Sequence, residues 1–260
     1  MQRSLAYCDA GHGYDVFGMH PDSVRVTEAL LRWPYDHYFR VESIGHENIP
    51  SRGAAILVAN HGGVLPIDGA MLYADVLRHT RPRRLARPIG ALFIPLMPFL
   101  GTLFSRMGVV NGSRGNVRKL LSSGELIMIF PEGTTGTGKT LRQRYQLQEW
   151  RPGHAELAIA HRVPVIPVGI VGAEDAWPLA TRIDRFHAFG APYLPIPAAP
   201  LPLPARCHIR YGAPLQLFDD DGTPADADDP ERVAAAAERV REAIAALVST
   251  GLTERRGIFR

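Results

Sequence analysis

The stretch AAILVANHGGVLPID, residues 54–68, decides how this sequence folds. Its apolar run, residues 54–59, predicts a buried strand, because short aliphatic runs that end in turn residues are typical of the strands of a sheet core. A polar pair and two glycines follow, and Pro66 suits the first turn of a helix that we predict over residues 66–79. A strand followed at once by a helix is typical of an α/β fold.

The same alternation continues along the chain. Short β-prone runs predict strands, and amphipathic stretches between them predict helices. The predicted strands are residues 40–44, 54–59, 125–130, 164–171 and 206–211, and the predicted helices are residues 66–79, 114–122 and 153–161. We therefore predict an α/β fold, a single domain with a mostly parallel central sheet flanked by helices.

Helical segments are predicted at both ends of the chain. Residues 22–40 suit a helix that is kinked at Pro34 and has an apolar side formed by Val26, Leu30, Trp33, His37 and Phe39. The predicted division is residues 1–40 as an N-terminal extension with a helix, residues 41–215 as the core, and residues 216–260 as an acidic linker with a C-terminal amphipathic helix.

The composition is that of a folded globular protein. Hydrophobic residues make up 46% and charged residues 21% of the chain, which excludes a disordered or fibrous class. Cys8 and Cys207 match neither a metal-ligand spacing nor a disulfide framework, so we expect a reducing compartment and no metal.

Basic and apolar segments adjoin in one part of the chain. Five arginines between residues 78 and 87 precede the apolar stretch 88–105, a combination that indicates a membrane surface or, alternatively, a solvated basic loop. Residues 88–105 carry three prolines and two glycines, which favours a broken apolar helix pair on one leaflet, or a buried core hairpin, over a membrane crossing. The proline-rich stretch 189–205 predicts an extended apolar loop. No motif indicates nucleic-acid binding.

His61 and Asp68 form the first candidate for chemistry. His61 follows a predicted strand, and Asp68 lies near the start of the next predicted helix. A carboxylate that fixes the tautomer of an imidazole and stabilises its cation makes a general base, although a histidine after a strand is often structural.

A second candidate follows the predicted strand 125–130. There the chain reads Phe130-Pro131-Glu132-Gly133-Thr134. Because ligands of open α/β sheets bind at the carboxyl ends of the strands, this turn is expected near His61. Glu132, beside the backbone N–H of Gly133, would bind a hydroxyl-bearing or anionic head group.

Two further patterns lie near this turn. Residues 133–140 satisfy the G-x-x-x-x-G-K-[ST] phosphate-loop pattern, but the residues that follow are too polar for a helix packed on a central sheet. Arg114, in the turn 108–116, is either a phosphate ligand or an ordinary surface arginine.

Taken together, four blocks resemble those of the glycerophospholipid acyltransferase family, which includes the lysophospholipid and 1-acylglycerol-3-phosphate acyltransferases. The blocks are Asn60-His61 with Asp68, Gly108 to Arg114, Phe130 to Gly133, and Val163 to Gly169. They occur in the order of the family, and the resemblance covers roughly residues 38–213.

The resemblance implies the transfer of an acyl group from a thioester of coenzyme A or acyl carrier protein to a glycerolipid hydroxyl, without a metal or a tightly bound cofactor. It implies that His61 is the general base and that Asp68 orients it. The acceptor or its phosphate would be contacted by Arg114, Glu132, Gly133 and Thr134. It also implies a peripheral or monotopic enzyme on the cytoplasmic face of the cell membrane.

The chain departs from the family pattern at two positions. Six residues separate His61 from Asp68 where the family usually has four, and Thr135 replaces an arginine that would bind phosphate. The replacement for that arginine would come from Lys139, Arg142 or Arg144. A phosphate-loop nucleotide enzyme and a non-catalytic lipid-binding module are the alternative hypotheses.

Overall fold

The structure, a computed structural model, describes residues 7–185 and 192–259. Among these residues, seven strands form a central sheet, and two more form a separate antiparallel pair. The central strands are β1 (Glu42–Ile44), β2 (Ala55–Ala59), β3 (Ala86–Gly90), β4 (Val110–Asn111), β5 (Leu126–Ile129), β6 (Val165–Val171) and β9 (His208–Tyr211), and the separate pair is β7 (Leu179–Ile183) with β8 (Leu194–Pro197).

The central sheet is mostly parallel. Its strand order is β1-β9-β6-β2-β5-β3-β4. Strand β2 runs parallel to both of its neighbours, β5 and β6, and only the β6–β9 pair is antiparallel within the sheet. The carboxyl ends of β6, β2, β5, β3 and β4 therefore open at one edge, which is called the carboxyl edge below.

Helices cover both faces of the sheet. They are α1 (Pro21–Trp33), α2 (Ile67–His79), α3 (Leu100–Arg106), α4 (Arg114–Ser122), α5 (Gly133–Thr137), α6 (Gly153–His161), α7 (Ala173–Ala176) and α8 (Pro230–Glu254). Leu57 of β2 points into the core that contains α1 and α2, whereas Ile56 points into the core that contains α4, α6 and α8. All five residues of β2 are buried, as expected of a strand covered on both faces. The predicted fold class is confirmed.

Helix α1 differs from its prediction in length and in orientation. The α-helix ends at Trp33, and a π-helical turn, Pro34–Tyr38, replaces the predicted kink. Val26, Leu30 and Trp33 are exposed, so this part of the predicted apolar side faces outwards, whereas Phe39 is buried in the core. The contacts to the core come from other residues of this segment, which include the buried Val24 and Tyr35.

Arginines of the basic run make contacts within the protein. Arg83 pairs with Glu28, Arg84 donates to backbone carbonyls, and Arg87 is buried in an ion pair with Asp15. The loop 80–85 precedes β3 and therefore lies at the edge of the sheet opposite to the carboxyl edge. Its charges connect α1, the N-terminal segment and the sheet.

The apolar stretch 88–105 is only partly helical. Residues 88–90 belong to β3, so the predicted pair of broken helices is wrong for this part. A short turn, Ile94–Leu96, and helix α3 follow, with Leu92, Phe99 and Leu103 exposed. Since residues 91–99 follow the end of β3, this apolar segment lies at the carboxyl edge. None of the helices in the described ranges is long and apolar enough to cross a membrane.

The C-terminal part of the chain contains two further features. Residues 194–197, predicted as loop, form β8, while residues 189–191 of that predicted loop lie outside the described residues. Helix α8 packs on β6 through Val240 and Ile244, which are fully buried. A Cβ atom at Gly169 would lie 2.6 Å from Leu247 Cβ, so glycine permits this close approach.

Candidate active site

The first and second candidate segments meet at the carboxyl edge. Because β2 and β5 are parallel and Val58 pairs with Ile129, the residues that follow the two strands emerge side by side. The backbone N–H of His61 donates to Glu132 Oε1 at 2.9 Å. The imidazole ring lies 4.4 Å from the ring of Phe130, measured between centroids.

His61 and Asp68 are in direct contact. Nδ1 of His61 lies 2.6 Å from Asp68 Oδ2, and the Asp68 side chain is buried. Since an ionised carboxylate can only accept hydrogen bonds, Nδ1 carries the proton and Nε2 keeps a free lone pair. The His61 side chain retains 12% exposure. This arrangement leaves one imidazole nitrogen able to accept a proton.

The carboxylate of Asp68 is itself fixed by the loop that it closes. Its Oδ2 accepts the backbone N–H of Gly62 at 2.8 Å, and its Oδ1 accepts the N–H of Gly69 at 2.7 Å. Gly63 has φ +91°, a conformation that favours glycine. A Cβ atom at Gly62 would overlap Glu174. The two glycines thus let the longer, six-residue connection return Asp68 to His61.

Glu132 lies behind His61, and the predicted contact of its side chain with an acceptor is not supported. The side chain is buried. Its Oε1 accepts the His61 N–H, and its Oε2 accepts the Gln148 N–H at 2.8 Å and lies 3.2 Å from Lys139 Nζ. Protein donors therefore occupy both oxygens, so Glu132 holds the backbone of His61.

Gly133 and Thr134 also use their backbone groups within the protein. The N–H of Gly133 donates to Phe130 O at 2.9 Å, so the predicted anion-binding donor beside Glu132 is occupied. The carbonyl of Thr134 accepts the hydroxyl of Tyr193 at 2.9 Å. Helix α5 packs tightly on the site, because a Cβ atom at Gly136 would lie 2.8 Å from His61 Cβ. Thr135, where the family has arginine, is exposed.

The phosphate-loop interpretation is not supported by the geometry of residues 133–140. Helix α5 spans only five residues and ends before Lys139. The Lys139 side chain is 1% exposed, and its Nζ lies 2.8 Å from Glu174 Oε1 in addition to its contact with Glu132. An ammonium group held between two buried carboxylates is not free to bind a nucleotide phosphate.

Arg114 lies at the same edge but away from His61. It is the first residue of α4, its side chain is 76% exposed, and it pairs with Glu156 at 3.0 Å. In the strand order β2-β5-β3-β4, three spacings separate the strand before His61 from the strand before Arg114, a distance of roughly 14 Å. Arg114 therefore does not contact His61.

The remaining cationic candidates are Arg144, which is paired with a carboxylate, and Arg142, which is exposed. Arg144 donates to Asp175, whose other oxygen accepts Tyr145 and Arg255. Within the described ranges, no group of three or more His, Cys, Asp or Glu side chains could hold a metal ion.

Sequence reasoning identified the β6 segment, Val163 to Gly169, as a family block but missed the roles of Asn60 and Glu174 at its carboxyl end. Asn60 is buried, and its side chain bonds both the N–H and the C=O of Ile170, at 2.7 and 2.9 Å. Glu174 follows the carboxyl end of β6, just as Glu132 follows that of β5. That position, a carboxylate directly after a buried strand, was the available signal for Glu174.

Comparison with known proteins identifies the class. Residues 40–171 match the acyltransferase family model, and the chain belongs to the acyltransferase family. It is therefore an acyltransferase enzyme, as the four sequence blocks predicted.

Several relatives cover most of the chain. An uncharacterized protein of Mycobacterium tuberculosis is 36% identical over 95% of this chain and 72% of its own length. The human protein named DGAT1/2-independent enzyme synthesizing storage lipids is 26% identical, over 87% of this chain and 67% of its own length.

A solved structure shares the fold. The 1-acyl-sn-glycerophosphate acyltransferase PlsC of Thermotoga maritima superposes with a TM-score of 0.61 at 19% identity. The match covers 90% of this chain and 81% of that protein. At this identity the likeness is one of fold.

Proposed function

We propose that this enzyme is a membrane-associated O-acyltransferase that moves a fatty acyl group from a thioester to a glycerolipid hydroxyl, with His61 as the general base. The observation that carries the proposal is the contact between His61 Nδ1 and the buried Asp68. It leaves Nε2 as a proton acceptor in a side chain that is still partly exposed.

The proposed reaction replaces the C–S bond of the thioester with the C–O bond of an ester and moves one proton through His61. Nε2 of His61 takes the proton of the acceptor hydroxyl while the hydroxyl oxygen attacks the thioester carbonyl carbon. The C–S bond then breaks, and the imidazolium returns the proton to the departing thiolate. The products are an ester and a free thiol, on coenzyme A or on acyl carrier protein. Asp68 stabilises the imidazolium that forms between the two transfers.

The charges around the site favour an acceptor without a phosphate. Lys139 and Arg144 are held by carboxylates, and position 135 is a threonine. The name of the human relative, which refers to the synthesis of storage lipids, agrees with a neutral acceptor such as monoacylglycerol or diacylglycerol. Lysophosphatidate is the second candidate, because the exposed Arg114 at the same edge is able to contact a phosphate.

The proposed membrane contact is the apolar segment after β3. Its exposed side chains include Leu92, Phe99 and Leu103, and it lies at the carboxyl edge, where His61 also lies. Apolar side chains at this edge would place the site next to the lipid surface from which the acceptor comes. The cytoplasmic face, where acyl thioesters are made, is the proposed location.

An acyl-transfer assay tests the proposal. Purified enzyme is given labelled acyl-coenzyme A or acyl carrier protein, with lysophosphatidate, other lysophospholipids, monoacylglycerol and diacylglycerol as acceptors. We expect transfer to at least one acceptor and a loss of about 100-fold or more in His61→Ala. His12→Asn, a change at an exposed histidine, is the control with unchanged activity.

The assay also separates the alternatives. Unchanged transfer in His61→Ala would disprove the general-base mechanism. Binding to lipid vesicles without turnover on any acceptor would instead indicate a non-catalytic lipid-binding module. Magnesium-dependent ATP or GTP binding that is lost in Lys139→Ala would revive the nucleotide hypothesis.

A further inference from the structure

Lys139 is one of only two lysines in the chain, and it is buried beside the site. Its Nζ lies 2.8 Å from Glu174 Oε1 and 3.2 Å from Glu132 Oε2, and its side chain is 1% exposed. Burying a lysine costs free energy unless carboxylates compensate its charge. A buried lysine does not serve solubility, so we expect Lys139 to have a structural or functional role.

The two carboxylates that Lys139 joins belong to different strand ends. Glu132 follows β5 and Glu174 follows β6. These strands lie on either side of β2, which delivers His61. The ammonium group therefore connects the two neighbours of the strand that carries the proposed base.

A short chain of contacts leads from Lys139 to His61. The ammonium contacts Glu132 Oε2, and the other oxygen of the same carboxylate accepts the His61 N–H. On the far side, Glu174 Oε2 accepts the N–H of Tyr145 at 2.7 Å, and Glu132 Oε2 also accepts the N–H of Gln148. The loop 139–148 is thereby fixed by the same two carboxylates.

The ammonium group of Lys139 compensates the negative charges of Glu132 and Glu174. Burial raises the pKa of Glu174, whereas the charge of Lys139 opposes that effect. Without a cation, two carboxylates would face each other in a buried space, and they would separate or take up a proton. Separation of the two carboxylates would turn Glu132 away from its present orientation toward the His61 backbone.

We propose that Lys139 is a positioning residue, which holds Glu132 and thereby fixes the backbone of His61 for proton transfer. The proposal rests on the proposed role of His61 as the base. Lys139 Nζ is shielded from solvent, so it acts on the reaction through Glu132 and not through contact with substrate. The part of the sequence that imitates a phosphate loop thus has a different role.

The central test is Lys139→Met, with kcat and KM measured for the acceptor that wild type uses. We expect kcat to fall by roughly 10-fold to 100-fold, since misplacement of a catalytic group by about 1 Å has effects of that size. KM should stay within about twofold, because uniform binding is not affected. Lys119→Met, the same change at the exposed lysine of α4, should leave both constants unchanged.

A second pair of variants separates charge from packing. Lys139→Met with Glu174→Gln removes one carboxylate together with the cation, and the new amide oxygen can still accept the Tyr145 N–H. We expect this double variant to recover part of the lost kcat. A role limited to packing predicts that the double variant is at least as impaired as Lys139→Met.

Glu174→Gln alone tests the proposal if Lys139→Met does not fold. It leaves Lys139 with Glu132 as its one carboxylate partner, and we expect a fall in kcat of about threefold to tenfold at unchanged KM. The proposal is overturned by a kcat equal to wild type in either single variant, or by a double variant without recovery. These outcomes are separate from the His61→Ala result, which tests the base itself.

Discussion

Asp68 is the residue whose distance from His61 matters most for the proposed mechanism. Its Oδ2 lies 2.6 Å from His61 Nδ1. We expect Asp68→Asn to keep the volume of the side chain but to lose the charge that stabilises the imidazolium. The expected fall in kcat is on the order of 100-fold or more, as for the equivalent change in a Ser-His-Asp triad.

The measurement for Asp68→Asn is kcat with the preferred acceptor, together with the unfolding midpoint. Asp22→Asn, at an exposed position of α1, is the control. A kcat for Asp68→Asn close to wild type would show that the carboxylate only closes the loop through Gly62 and Gly69.

The sequence predicted the contact between His61 and Asp68 but not the orientation of Glu132. The strand pattern and the two glycines placed the first pair in one loop. The direction of Glu132 depends on donors at positions 139 and 148, which come from a loop without regular periodicity. No local pattern encodes such a contact, so the sequence did not predict that Glu132 holds the backbone of His61.

The helices that lie between strands of the central sheet were predicted almost to the residue, and the short strands were not. The predicted helix 114–122 is observed unchanged, as is 153–161. Strand β3 escaped prediction because Pro88 and Gly90 lie within it, and β4 is only two residues long. Strand β3 depends on its pairing with β5, and β4 depends on its pairing with β3. A local window of sequence does not reveal such pairing.

Helix α6 carries a histidine that makes stability depend on pH. Burial lowers the pKa of His154 from 6.5 to about 4, although Nδ1 donates to Arg151 O. Between these values the unfolded chain binds a proton that the folded protein lacks. The contribution of neutral His154 to the free energy of unfolding is therefore fully present above pH 6.5. It is lost as the pH falls through 4, and the total loss is roughly 3 kcal/mol.

His154→Leu tests this expectation through urea unfolding between pH 4 and pH 7. The free energy of unfolding should depend less steeply on pH in the variant than in wild type. His12→Asn removes an exposed histidine and should preserve the wild-type slope. If the free energy of unfolding depended on pH equally in His154→Leu and wild type, the lowered pKa of His154 would be contradicted.

At the scale of the whole molecule, the two edges of the sheet have different surfaces. The carboxyl edge carries the apolar segment after β3, whereas the basic loop 80–85 lies at the opposite edge. We expect the double change Phe99→Ser with Leu103→Ser to lower binding to phospholipid vesicles about tenfold or more, because each buried apolar side chain contributes roughly 1.5–3 kcal/mol.

Vesicle sedimentation checks this prediction. The matched control is Leu30→Ser with Trp33→Ser, which changes two comparably exposed apolar residues of α1. If the α1 pair reduced vesicle binding and the Phe99 pair did not, the membrane contact would have to be reassigned to α1. The choice between these surfaces was not available from the sequence, because the exposure of α1 follows from its packing.

The scarcity of lysine has a practical consequence for handling the enzyme. Of the two lysine side chains, Lys139 is shielded and Lys119 is exposed on α4. Amine-reactive chemistry directed at lysine would therefore couple a dye, a surface or a resin through Lys119, at the opposite end of α4 from Arg114. Molecules that are tethered through a lysine side chain would therefore all present the same face.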